Sequence, residues 1–192
     1  MNKDLLITVN RKDKVLGYRS REECHSGKGI LHRAFSIFIV NDNGEFLIQK
    51  RSKYKSLWSL YWSNTCCSHP NAKDAKEEDA KDAKNAKENL IKQAEKRLKE
   101  ELGFRSKLKF LYKFCYQAKY KNKGSENELC YVLLGKYNEQ EIKPNPKEIA
   151  DFKWVKYTTL INQIKKNPEK FTPWFKKIIK DKRFILAMRP CG

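Results

Sequence analysis

The sequence predicts an α+β fold in a single domain, with a mixed β-sheet core flanked by helices. A chain of 192 residues suits one domain with an ordinary core. Hydrophobic residues make up 40% of the chain and aromatic residues 12%, which excludes wholesale disorder. Strand-like runs are interspersed with helical ones, and no βα unit repeats, which favours a mixed sheet.

The first half of the chain carries clear strand signals. Residues 5–9 (LLITV) predict a strand, with residues 16–19 as its hairpin partner. Residues 20–33 carry two glycines between two histidines and predict a loop. Residues 33–51 predict a hairpin, because two β-rich runs flank a turn that ends in Asn-Gly.

The second half opens with a low-complexity insertion at residues 71–89, where Asp-Ala-Lys and Asn-Ala-Lys triplets recur. We expect it to lie outside the core, as a solvated helix extension or a mobile loop. Apolar residues then recur at helical spacing from Leu90, and Gly103 stops a helix of about four turns. Further elements follow: strands at 108–120 and 128–137 around a polar turn, a loop and short strand within 143–155, and two helices within 158–186.

Composition limits the partners and the compartment. The net charge of +19 admits nucleic acid, anionic membranes or phosphorylated small molecules. The lysines are spread along the chain, which favours a focused anion site on an otherwise solvated surface, with no specific nucleic acid and no membrane partner. The longest apolar run, residues 35–40, is too short to span a bilayer, and we read no signal peptide. We therefore expect a cytoplasmic protein, a monomer or weak dimer, with reduced cysteines.

A basic module that binds RNA or membrane is the competing class of function. It predicts retention on heparin with a steep dependence on salt. It does not account for the histidines and glutamates described below.

Residues 63–70 (SNTCCSHP) combine two thiols and an imidazole. In an extended strand, side chains alternate between faces, so Cys67 and His69 share one face and Cys66 points to the other. We expect Cys66 to pack into the core and Cys67 to share a polar site with His69. A structural zinc site is disfavoured because no Cys-x-x-Cys is present.

Histidines and glutamates form a second pattern. Glu126 and Glu128 share a strand face, where two ionised carboxylates repel unless they are solvated or hold a cation. The three histidines of the chain and these two carboxylates are ligands that suit Mg²⁺, Mn²⁺ or Zn²⁺. A solvated strand edge is the alternative interpretation.

Residues 96–104 (KRLKEELGF) place acidic residues beside a basic one near the end of the predicted helix. The pattern approaches the Nudix box, with Lys96 and Arg97 where the box has Arg and Glu, and Asp82 where it has Gly. An ordinary amphipathic helix with Lys/Glu pairs is the alternative. The altered box disfavours diphosphate hydrolysis but is compatible with a metal–diphosphate role.

These pieces together resemble the type I isopentenyl-diphosphate isomerases, which have the Nudix fold. The resemblance covers residues from about 5 to about 180. It depends on six motifs: HxxxxxxHxAFS (25–36), QKRSKYKSLW (49–58), WSNTCCSHP (62–70), the helix ending ELG (101–103), ENELC (126–130) and TPW (172–174). It departs from compact members in the insertion at 71–89 and in the cysteine that precedes Cys67.

The resemblance implies interconversion of isopentenyl and dimethylallyl diphosphate through a tertiary carbocation, with a Nudix hydrolase of a nucleoside or prenyl diphosphate as the alternative. It implies Cys67 and Glu128 as the catalytic pair and Tyr116 as a partner of the glutamate. It implies a divalent metal at His25, His32, His69, Glu126 and Glu128. It also implies a diphosphate-bound Mg²⁺ assisted by Glu101, and substrate contacts from Arg21, Arg51, Lys55, Arg97 and Trp174.

Overall fold

The computed structural model describes residues 5–72 and 83–188. In these ranges, one mixed sheet of nine strands is flanked by helices. Its strands are β1 Leu5–Val9, β2 Val15–Ser20, β3 His32–Val40, β4 Glu45–Arg51, β5 Trp62–Ser63, β6 Cys66–Ser68, β7 Leu108–Tyr120, β8 Gly124–Lys136 and β9 Ile149–Lys156. Its helices are α1 Arg21–His25, α2 Ala83–Leu102, α3 Tyr157–Lys166, α4 Pro173–Ile179 and α5 Lys182–Ala187.

Strand β3 is the centre of the sheet and gathers the site. It runs parallel to β8, with His32 opposite Glu128, and antiparallel to β6, with Ser36 opposite Cys67. Its side chains are buried along almost its whole length, as expected of a central strand covered on both faces. Three separate motifs of the sequence therefore meet on neighbouring strands.

Alternation along β3 divides the core into two layers. Phe38 belongs to one buried cluster, while Phe35, Ile37 and Ile39 belong to the other. Helix α2 covers the second layer with the predicted apolar positions Leu90, Ala94, Leu98 and Leu102. Helices α3 to α5 cover the first layer with Leu160, Ile164, Trp174, Phe175, Ile178, Ile179 and Phe184. The expected α+β class, with a mixed sheet between helices, is confirmed.

The predicted hairpin over residues 33–51 forms only in part. Both strands and the turn are present, and Gly44 takes the positive φ that the turn requires. However, β3 and β4 pair only at Val40 and Phe46, while β4 pairs along its length with β9. The two strands diverge because β8 and β6 occupy the edges of β3, a long-range competition that local turn chemistry does not reveal.

Two element boundaries differ from the prediction. Within the expected loop at 20–33, Ser20 and Glu23 form a reciprocal cap that starts the short helix α1. Strand β8 begins at Gly124, so the turn before it is shorter than expected. As a result, His25 lies in helix α1 and Glu126 lies in strand β8.

The helical segments also differ at their ends. Helix α2 begins at Ala83, inside the predicted insertion, and buries Ala86, so the expectation that 71–89 lies wholly outside the core fails there. Residues 73–82 of that insertion, including Asp82, lie outside the described residues. The last predicted helix is divided into α4 and α5, because Asp181 caps a new helix through the amide of Arg183. In the described ranges, no helix is long and apolar enough to cross a membrane.

Candidate active site

A cavity of about 1010 Å³ opens between β6, β8, α1, α2 and the segment after β4. The sequence-predicted site residues line it, except His32 and Glu101, which are fully buried. The lining members are Arg21, His25, Arg51, Lys55, Cys67, His69, Arg97, Tyr116, Glu126, Glu128 and Trp174. The structure thus collects side chains from six separate sequence motifs at one place.

The twin cysteines take opposite environments, as strand alternation predicts. Cys66 is completely buried in the core layer beneath α2, whereas Cys67 is partly exposed and lines the cavity with His69. Burial and the neighbouring Glu101 raise the pKa of the Cys66 thiol. Cys67 alone of the doublet can meet a ligand in this cavity.

Three imidazoles and one carboxylate converge beside Cys67. The ring centroids of His25, His32 and His69 lie 4.8–5.1 Å apart. One ligand atom of each, with a carboxylate oxygen of Glu126, lies within 4.8 Å of the others. Glu128, the fifth predicted ligand, is outside this set of four, although its Oε1 lies 3.0 Å from His69 Nε2.

The hydrogen bonds of the imidazoles show that the cluster fits a cation. Nδ1 of His32 donates to the Ile30 carbonyl at 2.7 Å, so the buried Nε2 carries a lone pair and finds no partner among the described residues. Burial lowers the pKa of His32 to about 4, which keeps the ring neutral.

His25 shows the same arrangement. Nδ1 of His25 donates to the Arg21 carbonyl at 2.7 Å, which leaves the Nε2 lone pair facing Glu126 Oε2 at 2.9 Å. Two acceptors this close require a proton or a metal ion between them. Burial opposes protonation of His25, but Glu126 outweighs it and raises the pKa of the imidazole.

His69 links this cluster to two other parts of the cavity. Its Nδ1 accepts from Arg21 Nη1 at 2.9 Å, so its Nε2 carries the proton and donates to Glu128 Oε1. Burial and Arg21 hold the pKa of His69 well below its usual value. A metal ion bound through Nε2 would take the place of that proton.

Glu128 contacts both a histidine of the cluster, His69, and an aromatic residue of the cavity lining, Tyr116. Its Oε2 accepts a hydrogen bond of 2.7 Å from the Tyr116 hydroxyl. Burial and the neighbouring Glu126 raise the pKa of Glu128 well above the usual value, outweighing the hydrogen bond from Tyr116, which lowers it. A carboxyl in this environment holds a proton more readily than an exposed glutamate does.

Trp174 is held rigidly at the cavity wall. Its Nε1 donates to Ser63 Oγ at 3.1 Å and to Asn64 Oδ1 at 3.2 Å. The Asn64 amide in turn donates to the carbonyls of Ile37 and Cys66. These contacts fix the indole against the strand that carries the cysteine pair.

Arg51 lies at the same end of the cavity and is almost fully buried. Its Nε and Nη2 donate to the carbonyls of Trp58 and Leu57, at 3.1 and 3.0 Å. Its Nη1 lies 3.4 Å from Cys67 Sγ, and its guanidinium carbon lies 5.3 Å from the centre of the Trp174 ring. Arg51 therefore faces the thiol of Cys67 and the indole of Trp174.

The charged end of the cavity is formed by side chains from α2, from the segment after β4 and from the segment before β9. Arg97 Nε donates to Glu101 Oε1 at 2.7 Å, and Arg97 Nη2 donates to Glu148 Oε1 at 2.7 Å. Lys55 donates to the other oxygen of Glu148. Burial raises the pKa of the completely enclosed Glu101 in spite of Arg97.

Glu148 is a charged residue of the cavity lining that the sequence did not single out, as are Glu22 and Lys123. It precedes β9 in a segment whose prolines and lysines predict only a loop. Ser63 and Asn64 belong to a motif of the sequence, but that motif does not indicate that they support Trp174. The signal for Glu148 lies in its spatial neighbours, which no local pattern supplies.

The chain is similar to known proteins along most of its length. The Nudix domain model matches residues 30–175. An isopentenyl-diphosphate Delta-isomerase 2 from Photorhabdus laumondii is 36% identical over 176 residues, which cover 92% of this chain and 90% of the relative. The isopentenyl-diphosphate delta-isomerase of Schizosaccharomyces pombe is 34% identical over 185 residues, with 91% of this chain and 80% of that relative covered.

Solved structures agree on the fold. The DR0079 protein of Deinococcus radiodurans aligns over 92% of this chain and 98% of its own, with a TM-score of 0.68 and 16% identity. A MutT protein from Methanosarcina mazei aligns over 82% of this chain and 94% of its own, with a TM-score of 0.57 and 17% identity. At such identities these likenesses establish the Nudix fold alone.

Proposed function

Because this chain belongs to the isopentenyl-diphosphate Delta-isomerase family of the Nudix fold, we propose that it interconverts isopentenyl and dimethylallyl diphosphate. One observation carries the proposal. The Cys67 thiol and the Glu128 carboxyl, with its raised pKa, line the same cavity as the aromatic residues Tyr116 and Trp174 and the cations Arg21, Lys55 and Arg97. The substrate class is a small prenyl diphosphate.

The reaction moves a carbon–carbon double bond by one position. A proton adds to the terminal carbon of the alkene, and its π electron pair forms the new C–H bond, leaving a tertiary cation. A proton then leaves the carbon on the other side of the cationic centre, and the C–H pair becomes the new double bond. We assign these two transfers to Cys67 and Glu128, acting from opposite faces of the alkene.

Tyr116 and Trp174 support these transfers. The Tyr116 hydroxyl, bonded to Glu128, orients the carboxyl or passes its proton. Trp174, fixed by Ser63 and Asn64, offers a π face to the cation, a contribution of about 2 kcal/mol when water is excluded. Exclusion of water also protects the cation from capture.

The donor set of His25, His32, His69 and Glu126 fits a divalent metal ion, and Glu128 is the proposed fifth ligand. When bound there, a Mg²⁺, Mn²⁺ or Zn²⁺ ion supplies positive charge that tunes the acidity of the neighbouring carboxyl groups. Without it, the lone pairs on His25 and His32 face a carboxylate or no partner at all among the described residues.

The diphosphate end provides binding without chemistry. We propose that Arg21, Lys55 and Arg97 hold the diphosphate and that Glu101 assists a diphosphate-bound Mg²⁺, whereas Arg51 supports the groups beside Cys67 and Trp174. Binding energy from this remote group positions the alkene between the two proton-transfer residues.

The test is direct. Purified protein is incubated with isopentenyl diphosphate and Mg²⁺, and the mixture is analysed for dimethylallyl diphosphate and for released phosphate. We expect the isomer without phosphate release. Folded protein that makes no isomer with any divalent metal would contradict the proposal, and phosphate release would favour the hydrolase alternative.

A further inference from the structure

The Glu148 carboxylate pairs with both cations of the charged end, Arg97 and Lys55. One of its carboxylate oxygens accepts from Arg97 Nη2 at 2.7 Å, and the other accepts from Lys55 Nζ. The three side chains line the cavity and remain partly open, at 29% exposure for Arg97, 20% for Lys55 and 21% for Glu148. A carboxylate that bridges an Arg and a Lys uses the donors that a terminal phosphate would use.

The backbone holds Glu148 in this place. Its carbonyl accepts from the Ser52 amide at 2.9 Å, on the segment that carries Lys55. Its own amide donates to the Asn145 carbonyl at 2.9 Å, and the Asn145 amide donates to the Glu101 carbonyl at the end of α2. The segment before β9 is therefore tied to both elements that supply the cations.

Charge makes this contact incompatible with a second anion. Burial alone would raise the pKa of Glu148, but Lys55 and Arg97 outweigh it and lower that pKa, so the carboxylate stays ionised. A diphosphate that enters the same pair of cations meets a like charge in a partly desolvated site. The cations can serve the ligand fully only when Glu148 gives them up.

We propose that the Glu148 carboxylate is an internal competitor of the substrate's diphosphate, which displaces it from Lys55 and Arg97 on binding. Glu148 keeps the two cations ordered in the empty site and weakens the hold on the product. The idea rests on the proposed function, since it assumes that this end of the cavity receives a diphosphate.

The experiment measures the binding of inorganic diphosphate by calorimetry in buffer without added divalent ions, so that no free ion bridges the anions. The isosteric substitution Glu148→Gln removes the competing charge and leaves both cations. We expect it to tighten binding by about fivefold, the worth of a partly exposed ion pair. By linkage, diphosphate raises the melting temperature of the variant more than that of the parent.

A matched control is Glu100→Gln. Glu100 also contacts Arg97, at 3.4 Å, but its side chain is largely exposed and touches neither Lys55 nor Glu148 in the contacts described. We expect diphosphate affinity to change by less than about twofold. An equal gain in both variants would show a general charge effect and overturn the proposal.

A second variant covers poor folding of the first. Glu148→Asp keeps the charge on a shorter side chain, and a gain of about twofold in affinity is expected. Unchanged or weaker binding in the folded variants would overturn the competitor role. The two failures are separable, because a parent protein that binds no diphosphate and makes no isomer contradicts the proposed function itself.

Discussion

Arg51 and Arg97 both line the cavity, and the two arginines have opposite surroundings. Arg51 is 7% exposed, donates to two backbone carbonyls and faces Cys67 and Trp174. Arg97 is 29% exposed and donates to carboxylates through all three of its nitrogens. Resemblance alone assigns both arginines to the diphosphate.

The difference teaches that environment divides one residue type between two tasks. A guanidinium fixed by carbonyls in a buried wall cannot follow a mobile anion, but it can fix the groups beside it. A guanidinium among carboxylates at an open end can exchange one anion for another. We therefore expect substitutions at the two ends to separate effects on kcat from effects on KM.

The largest effect belongs to the acid–base end. Cys67→Ala removes a proposed proton-transfer group while leaving the cations intact. We expect kcat to fall by a factor of about 10³, with KM for isopentenyl diphosphate nearly unchanged. Steady-state assays with the isomer as readout measure both parameters.

The neighbouring thiol is the control for Cys67. Cys66→Ala truncates a buried packing residue of equal size on the other strand face, and kcat should stay within about threefold of the parent. A dead Cys66→Ala beside an active Cys67→Ala would contradict the assignment of strand faces.

The next effect belongs to the charged end. Arg97→Gln removes a cation that contacts Glu148 and Glu101, and we expect KM to rise about 30-fold while kcat falls less. The same assays report it, with Lys55→Met as the parallel variant. A fall in kcat at constant KM would show that Arg97 serves the chemistry, and the contrast between the ends would fail.

A smaller effect is expected at the other arginine. Arg51→Lys keeps the charge but loses the fork that spans the Leu57 and Trp58 carbonyls and Cys67. We expect kcat to fall about tenfold, with KM changed by less than about threefold. A larger rise in KM than in Arg97→Gln would assign Arg51 to the diphosphate after all. Diphosphate affinity, measured by calorimetry, is an independent check.

The sequence was most informative where the structure depends on residues that are neighbours in the chain. Strand alternation placed Cys66 and Cys67 on opposite faces, and helical spacing placed Leu90 to Leu102 in the core. Motif resemblance, which depends on short patterns around residues such as His25 and Glu128, identified the fold correctly. Their assigned chemistry stays a prediction until the variants are measured.

The sequence was less informative where segments that are distant in the chain compete for the same contacts. The pairing of β4 with β9 in place of β3 depends on which strands occupy each edge of the folded sheet, and local turn residues do not determine that. Glu148 lies more than forty residues from either cation in the chain, so only the folded segment before β9 shows what it contacts. A lone Glu in a Lys- and Pro-rich loop has no distinguishing local pattern.

The smallest effect on turnover is expected at a second carboxylate that bridges an arginine and a lysine. Asp13, on the loop between β1 and β2, accepts from Arg33 at 2.6 Å, from Lys113 at 2.7 Å and from the Tyr131 hydroxyl. Its side chain is only 7% exposed and does not line the cavity, so no ligand can replace it there. The same chemistry as at Glu148 should therefore serve stability alone.

Asp13→Asn should lower the free energy of unfolding by about 3 kcal/mol at neutral pH, because it leaves a buried arginine short of its counter-charge. Burial alone would raise the pKa of Asp13, but Lys113, Tyr131 and Arg33 together lower it below the usual 3.8. The stabilisation is thus complete above about pH 4 and is lost as the pH falls through the lower folded value. Urea unfolding at pH 7 and pH 3 measures the effect, which should shrink at the lower pH. A kcat that changed while stability did not would place Asp13 in the reaction and remove the distinction between the enclosed carboxylate and the one facing the cavity.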